Sequence, residues 1–219
     1  MEQIVIYGAG ALARKIIKYN WRYSLFDIIA LIDDNSKIEA EKWGVPVWGY
    51  QQFKQLYKKG DAPSIIVSIG YTGCNRFRED VILRLMTDGY KLGNFISPGA
   101  NCWPDTIRGC NILVFDNAFI GDDCELANGV VICPGCVLSH GVHVEDYVFF
   151  SDGVVVGGNA RIGKNSFVGL NSTIKSSVNV GKYNIIGSAA NVLKDTEGFM
   201  VTKGNPGRSV IGDTLNMKI

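Results

Sequence analysis

The sequence predicts two joined folds: a small α/β domain over residues 1–92 and an all-β parallel β-helix of hexapeptide type over residues 93–219. Three observations carry this reading. Strand and helix signals alternate in the first half. A glycine-rich turn, Gly8-Ala9-Gly10, directly follows the first apolar run. From about residue 93 the helical period gives way to a period of six, and internal repeats of this kind decide a fold.

In the first half, "QIVIYGAG" is a buried strand entering a turn, and "ALARKIIKYN" has helical spacing with Leu12, Ile16 and Ile17 on one side. "FDIIALIDDN" is a second apolar strand that ends in acids. "YQQFKQLYKKG" reads as a helix closed by Gly60, "PSIIVSIG" as a third strand, and "NRFREDVILRLMTDG" as a helix closed by Gly89. Strands alternating with helices imply a parallel sheet with right-handed crossovers.

In the second half, every sixth residue from Ile96 to Val192 is apolar except Arg108. The residue four places later is small or apolar almost throughout. Six residues make one short strand and a corner, and three such units close a triangular coil. Successive coils then stack at strand spacing, about 4.8 Å. The recurrent glycines that follow the first position, such as Gly121, Gly157 and Gly163, are expected at corners with unusual dihedrals.

Composition excludes several classes of function. Net charge is +1, so no global field favours nucleic acid or an anionic membrane. No 18-residue apolar run predicts a membrane span. "MEQIVIYGAG" lacks the basic and apolar regions of a signal peptide, so a cytoplasmic protein is expected. Six cysteines are present, and "CPGC" (Cys133 to Cys136) has zinc or redox spacing. No second pair offers the remaining zinc ligands. The hexads place Cys102, Cys124 and Cys136 inside as small fillers and Cys133 at a glycine-type corner, so no metal is expected.

Gly8-Ala9-Gly10-Ala11-Leu12-Ala13 matches G-x-G-x-x-A between a strand and a helix, and Asp33 ends the next strand twenty residues after Ala13. This is the Rossmann-like dinucleotide fingerprint with its ribose-binding acid. NAD is one reading. The domain has room for about one mononucleotide-binding half, and a tight turn without ligand is another reading. Both histidines lie in "GCVLSHGVHVEDYVFF". His140 is at an outward corner and His143 on an outward strand position. On the residues alone, an exposed corner histidine without function is the simpler account.

The pairing of "IVIYGAGALARKI", "LIDDN" and "IIVSIG" with the hexads around His140, "GGNARIGKNSFVGLNSTI" and "KGNPGRSV" resembles the bacterial nucleotide-sugar acetyltransferases of the hexapeptide-repeat superfamily. These include sialic-acid O-acetyltransferases and UDP-amino-sugar N-acetyltransferases. The resemblance covers nearly the whole chain. It implies a left-handed β-helix, a homotrimer with sites between subunits, acetyl-CoA as co-substrate, and a sugar or nucleotide sugar held by the N-terminal domain.

Carried onto this sequence, the resemblance makes His140 the general base. The Gly158 N–H becomes the donor to the acyl oxygen, as charge develops there. Gly8, Gly10 and Ala11 would cradle a diphosphate, Asp33 and Asp34 would contact ribose or base, and Ser68 and Gly70 would complete the pocket. Asn75 and Arg76, in "GYTGCNRFRED", would meet phosphate or sugar. Asn159, Ser188 and Ala189 would hold the cofactor arm, and Lys194, Lys203 and Arg208 would meet CoA phosphates. Gly141 stands where relatives carry a carboxylate and Phe149 where they carry another histidine. By the eighteen-residue stacking Asp122 lies one coil below His140, where it either orients the ring or is a solvated corner acid. The expected activity is acetylation of a sugar amino group. O-acetylation of a sugar and a non-catalytic nucleotide-binding scaffold are the alternatives.

Overall fold

The structure is a computed structural model describing residues 1–35, 39–58 and 60–204. The first half contains β1 (Glu2–Tyr7), α1 (Ala11–Tyr23), β2 (Phe26–Ile32), β3 (Glu41–Lys42), β4 (Val45–Trp48), α2 (Tyr50–Leu56), β5 (Ser64–Val67) and α3 (Arg76–Thr87). The sheet order is β3-β4-β2-β1-β5, parallel except for the β3–β4 hairpin. Ala13, Ile16 and Ile17 bury the inner face of α1 against it.

Two local expectations differ. β4 was not legible because Pro46 interrupts its apolar run. The proline is tolerated because pairing with β2 begins only at Val47, and the bond toward the β3 side is donated by the Val47 N–H to the Ala40 carbonyl (2.8 Å). α2 ends at Leu56, where Tyr57 turns extended, before Gly60 is reached. α3 closes as expected at Gly89, with φ of +82°.

In the second half each hexad forms a two-residue strand and a turn, and strands pair with those eighteen residues away, as in Val137↔Val155 and Leu138↔Val156. The strands build three sheets of seven, six and four strands, the three faces of a triangular prism. The inward residues, from Val114 to Val192, form one apolar core with Cys124 and Cys136 inside it. At the break in the pattern, a 3-10 turn over Pro104–Thr106 moves Ile107 into the place opposite Leu126, and Arg108 faces solvent.

The recurrent glycines have a different reason from the expected one. Positive φ falls two residues later, at Gly129, Gly135, Gly141 and Gly153 and at Asn117, Asn159, Asn165 and Asn171. Asparagine tolerates that conformation. The glycines after the first position instead allow close stacking. A Cβ at Gly163 would lie 2.5 Å from the Lys182 nitrogen of the next coil, and one at Gly157 2.5 Å from that of Ser176.

The outward residues of the three faces differ in kind. On the seven-stranded face they are Phe95, Leu113, Val131 and Phe149, which pack into one cluster with β1 and α1. The N-terminal domain therefore covers the first strands of this face, while Ile185 and Val201 at its far end stay exposed. The six-stranded face presents Phe119, Val137 and Val155, with Phe119 42% and Val155 40% exposed. The four-stranded face carries Glu125, His143 and Arg161 in adjacent registers.

Candidate active site

The glycine-rich turn opens into a cavity of about 460 Å³ between the α/β domain and the coil. The Gly8 amide donates to the Ile32 carbonyl (2.7 Å) and the Ala9 amide to the Asp33 carboxylate (3.2 Å), so β2 holds the loop open. Gly8 has φ of +100°, and a Cβ there would stand 3.2 Å from Ser68 Oγ. Ser68 Oγ reaches the carbonyls of Tyr7 and Gly8, both at 3.1 Å. Gly10 and Ala11 open α1, where free amide N–H groups attract anions.

Gly8, Gly10, Ala11, Asp33, Ser68 and Gly70 all line this cavity. Their sequence grouping is thus also a spatial one. The sequence reading missed Lys15 and Tyr71, which complete the wall with Cys133 and Phe149 from the coil. The signal for Lys15 was its place one helical turn after Ala11. Phe149 and Phe167 stack at 5.8 Å, and Tyr71 packs on both rings at 5.2 and 4.7 Å. A second cavity of about 310 Å³ continues past Asp33, lined by Asp34, Trp48 and Tyr50.

Three expected site residues, Asp34, Asn75 and Arg76, are not in the wall of the Gly8–Gly10 cavity. The Asp34 carboxylate accepts from the Tyr7 hydroxyl (2.5 Å), the Tyr50 amide (3.0 Å) and Arg84 Nη2 (3.3 Å), so its oxygens hold the fold together. Burial pushes its pKa up, but these donors outweigh that and hold the carboxyl below its ordinary value. Asn75 is fully buried and donates to the carbonyls of Asn165 (3.0 Å) and Ser166 (3.1 Å), joining α3 to the coil instead of facing a ligand. Arg76 lies in a separate cavity of about 530 Å³, beside Tyr183 and Phe199.

His140 sits at the corner between the six-stranded and four-stranded faces. Asp122, His140, Gly158, Ser176 and Lys194 form one column there at eighteen-residue intervals. The ring lies against Gly158: a Cβ at that position would be 2.6 Å from Cε1 and 2.7 Å from Nε2. Gly158 N–H has no partner in the described chain, so it is available to an acyl oxygen.

The expected hydrogen bond from the His140 ring to the Asp122 carboxylate is not formed among the described residues. The tie between these coils is the Gly141 amide donating to the Asp122 carbonyl at 2.9 Å. Gly141 has φ of +64°, and Asn159 Oδ1 occupies the space its Cβ would need. His143 Nδ1 contacts Glu125 Oε2 at 2.8 Å on the charged face.

Of the residues expected on CoA, Asn159 lies beside Gly158, its N–H donating to the His140 carbonyl at 2.9 Å, and Lys194 shares the column. Ser188, Ala189 and Lys203 lie instead beside the corner between the seven- and six-stranded faces. Arg208 lies outside the described residues.

Cys133 and Cys136 are buried free thiols, and burial pushes each pKa up to about 12. A thiol so raised is a poor nucleophile and metal ligand. Among the described residues, no group of three His, Cys, Asp or Glu side chains is placed to hold a metal, and no helix is long and apolar enough to cross a membrane.

Comparison with known proteins adds the following. Residues 3–85 match the model of the PglD N-terminal domain, and residues 116–145 and 159–188 match the hexapeptide repeat of succinyl-transferase. No curated protein matches the chain. Among solved structures, the chain is similar to the acetyltransferase domain of PglB from Neisseria gonorrhoeae FA1090. Identity is 24% over 96% of this chain and 100% of that one, with a TM-score of 0.84. It is similar to PerB from Caulobacter crescentus in complex with CoA and GDP-perosamine (23% identity, 93% and 95% covered, TM-score 0.82). It is also similar to WeeI from Acinetobacter baumannii AYE (21%, 95% and 99%, 0.58). The fold is therefore an α/β domain on a left-handed parallel β-helix.

Proposed function

We propose that this chain, which belongs to the hexapeptide-repeat superfamily and joins its coil to a PglD N-terminal domain, is an acetyl-CoA-dependent N-acetyltransferase of a nucleotide-linked amino sugar. Such a product would serve as a cytoplasmic glycan precursor. The observation that carries the reading is a pairing of two sites. A diphosphate-sized cavity opens at Gly8–Gly10, and a histidine with a free neighbouring amide sits on the coil. The PglB domain has been solved with acetyl coenzyme A and PerB with CoA and GDP-perosamine, which supports both halves.

Acetyl transfer then needs no metal step. The acceptor nitrogen attacks the thioester carbonyl while His140 takes its proton. The developing oxyanion accepts from Gly158 N–H. The C–S bond breaks, and the CoA thiolate recovers the proton from His140.

The placement of the two sites supports a homotrimer. The cavity lies on the seven-stranded face, and His140 is on the corner opposite that face. One chain cannot bring its own acceptor to its own base across the prism. A neighbouring copy supplies the missing half, and the exposed apolar Phe119–Val155 ladder offers a surface for it.

The test is complementation. His140→Ala lowers kcat by about 10²–10⁴ while CoA still binds. Asp33→Ala disables the cavity. Co-assembly of the two inactive chains restores about a quarter of wild-type activity, because random mixing in a ring leaves that fraction of sites whole. No restoration would place both halves in one chain. CoA thiol release with a hydroxyl-bearing but no amino-bearing nucleotide sugar would replace N- by O-acetylation. No CoA binding at all would leave a non-catalytic scaffold.

A further inference from the structure

Arg78 is fully buried and, among the described residues, pairs with no carboxylate. Its guanidinium donates to four carbonyls. Two belong to the cavity wall, Ile69 (3.3 Å) and Gly70 (3.1 Å). Two belong to the coil, Gly129 (3.1 Å) and Tyr147 (2.7 Å). Its plane also lies 5.7 Å from the centre of the Phe149 ring, itself part of the wall. Burial lowers its pKa to about 9, so it is charged at neutral pH.

Burying a charge without a counter-ion is expensive, and simple domain packing could use apolar residues at less cost. The planar fork does something apolar residues cannot: it ties one backbone segment of the α/β domain to two of the coil. Elsewhere along the wall the coil is met by ring contacts of Tyr71 with Phe149 and Phe167 and by the Lys15–Asp152 ion pair (3.9 Å), none of which ties backbone to backbone. Asn111 bonds Val67 of β5 through both its amide atoms, at 2.6 and 3.1 Å, and Asn75 bonds the coil behind α3.

We propose that Arg78 is a positioning residue that holds the Ile69–Gly70 wall of the nucleotide cavity in fixed register with the coil. It thereby sets where the acceptor is presented. This rests on reading the Gly8–Gly10 cavity as the acceptor nucleotide site. Lysine keeps the charge, but its single ammonium cannot span four carbonyls on three segments.

The experiment compares full-length wild type, Arg78→Lys and Arg78→Met well below their melting temperatures. Amide hydrogen exchange of residues 68–73 is measured, with UDP, GDP and CoA binding by calorimetry. In Arg78→Lys, exchange in 68–73 rises about tenfold or more while that of the coil interior is unchanged. Nucleoside diphosphate binding weakens about tenfold or more, with CoA binding unchanged, because a displaced wall misplaces its ligand. Arg78→Met shows the same pattern more strongly. Exchange that rises evenly over the whole fold, or unchanged diphosphate affinity, overturns the proposal and leaves Arg78 as a stabilising residue only. If wild type binds neither UDP nor GDP, the reading of the cavity fails, and the local exchange difference still decides whether Arg78 clamps the wall.

Discussion

The His140 ring lies directly against the α-carbon of Gly158, one coil above it, in the space a side chain there would fill. The α-carbon of glycine leaves that space for the ring, and the adjacent N–H stays unpaired. The proposed base and the proposed oxyanion donor are thus set next to each other by the eighteen-residue stacking of the coil. Gly158→Ala adds one methyl group 2.6 Å from the ring. The glycine φ is not in the left-handed region, so the fold accepts alanine there. The expected outcome is a fall in kcat of about 10²-fold through ring displacement, with the melting temperature little changed. Undiminished kcat in the alanine variant would show that the ring is free to move.

Asp122 and His143 serve as the contrast. Neither bonds the His140 ring among the described residues, and His143 is engaged with Glu125 on the charged face. Asp122→Asn and His143→Gln should each keep turnover within about threefold of wild type, as expected of surface substitutions. A loss of a hundredfold in Asp122→Asn would restore that carboxylate as the orienter of the base.

The apolar ladder on the six-stranded face predicts assembly. Val155 is 40% exposed in the single chain and lies between Val137 and Thr173 in register. Val155→Lys places a charge in the middle of the ladder, and burying it unpaired is strongly disfavoured. Light scattering should find wild type as a trimer and the variant as a monomer, with acetyl transfer lost and UDP or GDP binding retained. A wild-type monomer that is fully active would end the intersubunit reading.

Asp34 predicts a pH dependence of stability. Burial raises its pKa, but Tyr7, Tyr50 and Arg84 donate to the carboxylate and leave it below its ordinary value. A depressed folded pKa stabilises above the unfolded pKa, and that stabilisation is lost as pH falls through the folded value. Because the side chain is half exposed, the contribution is about 1 kcal/mol. Asp34→Asn should therefore unfold more easily than wild type above about pH 5, and the gap should close on acidification below about pH 4. A gap constant across that range would remove the ionised form as the cause.

The α/β order and the coil were legible in the sequence because each follows from a local period. A hexad has an inward place that must be apolar, so the repeat declares itself whatever surrounds it. The cavity loop was legible for the same reason, since Gly8, Gly10 and Asp33 act on backbone a few residues away in space. The roles of Asn75, Arg78 and Glu79 were not legible. Polar residues in the first turn of α3 read as solvent-facing or ligand-facing, but docking turns them into the coil. There Asn165 donates to Glu79 at 2.7 Å, and Arg78 reaches Gly129 and Tyr147.

The sequence by itself determined three stacked faces and the column containing His140, since eighteen residues return to the same place. Only the tertiary structure decided which face the N-terminal domain covers. A six-residue period is blind to that choice, because all three faces share one inward pattern. The outward ladder of Phe95, Leu113, Val131 and Phe149 settles it by burying its side chains against β1 and α1. That burial leaves His140 on the far corner, with the cavity and this histidine on opposite sides of the same coil.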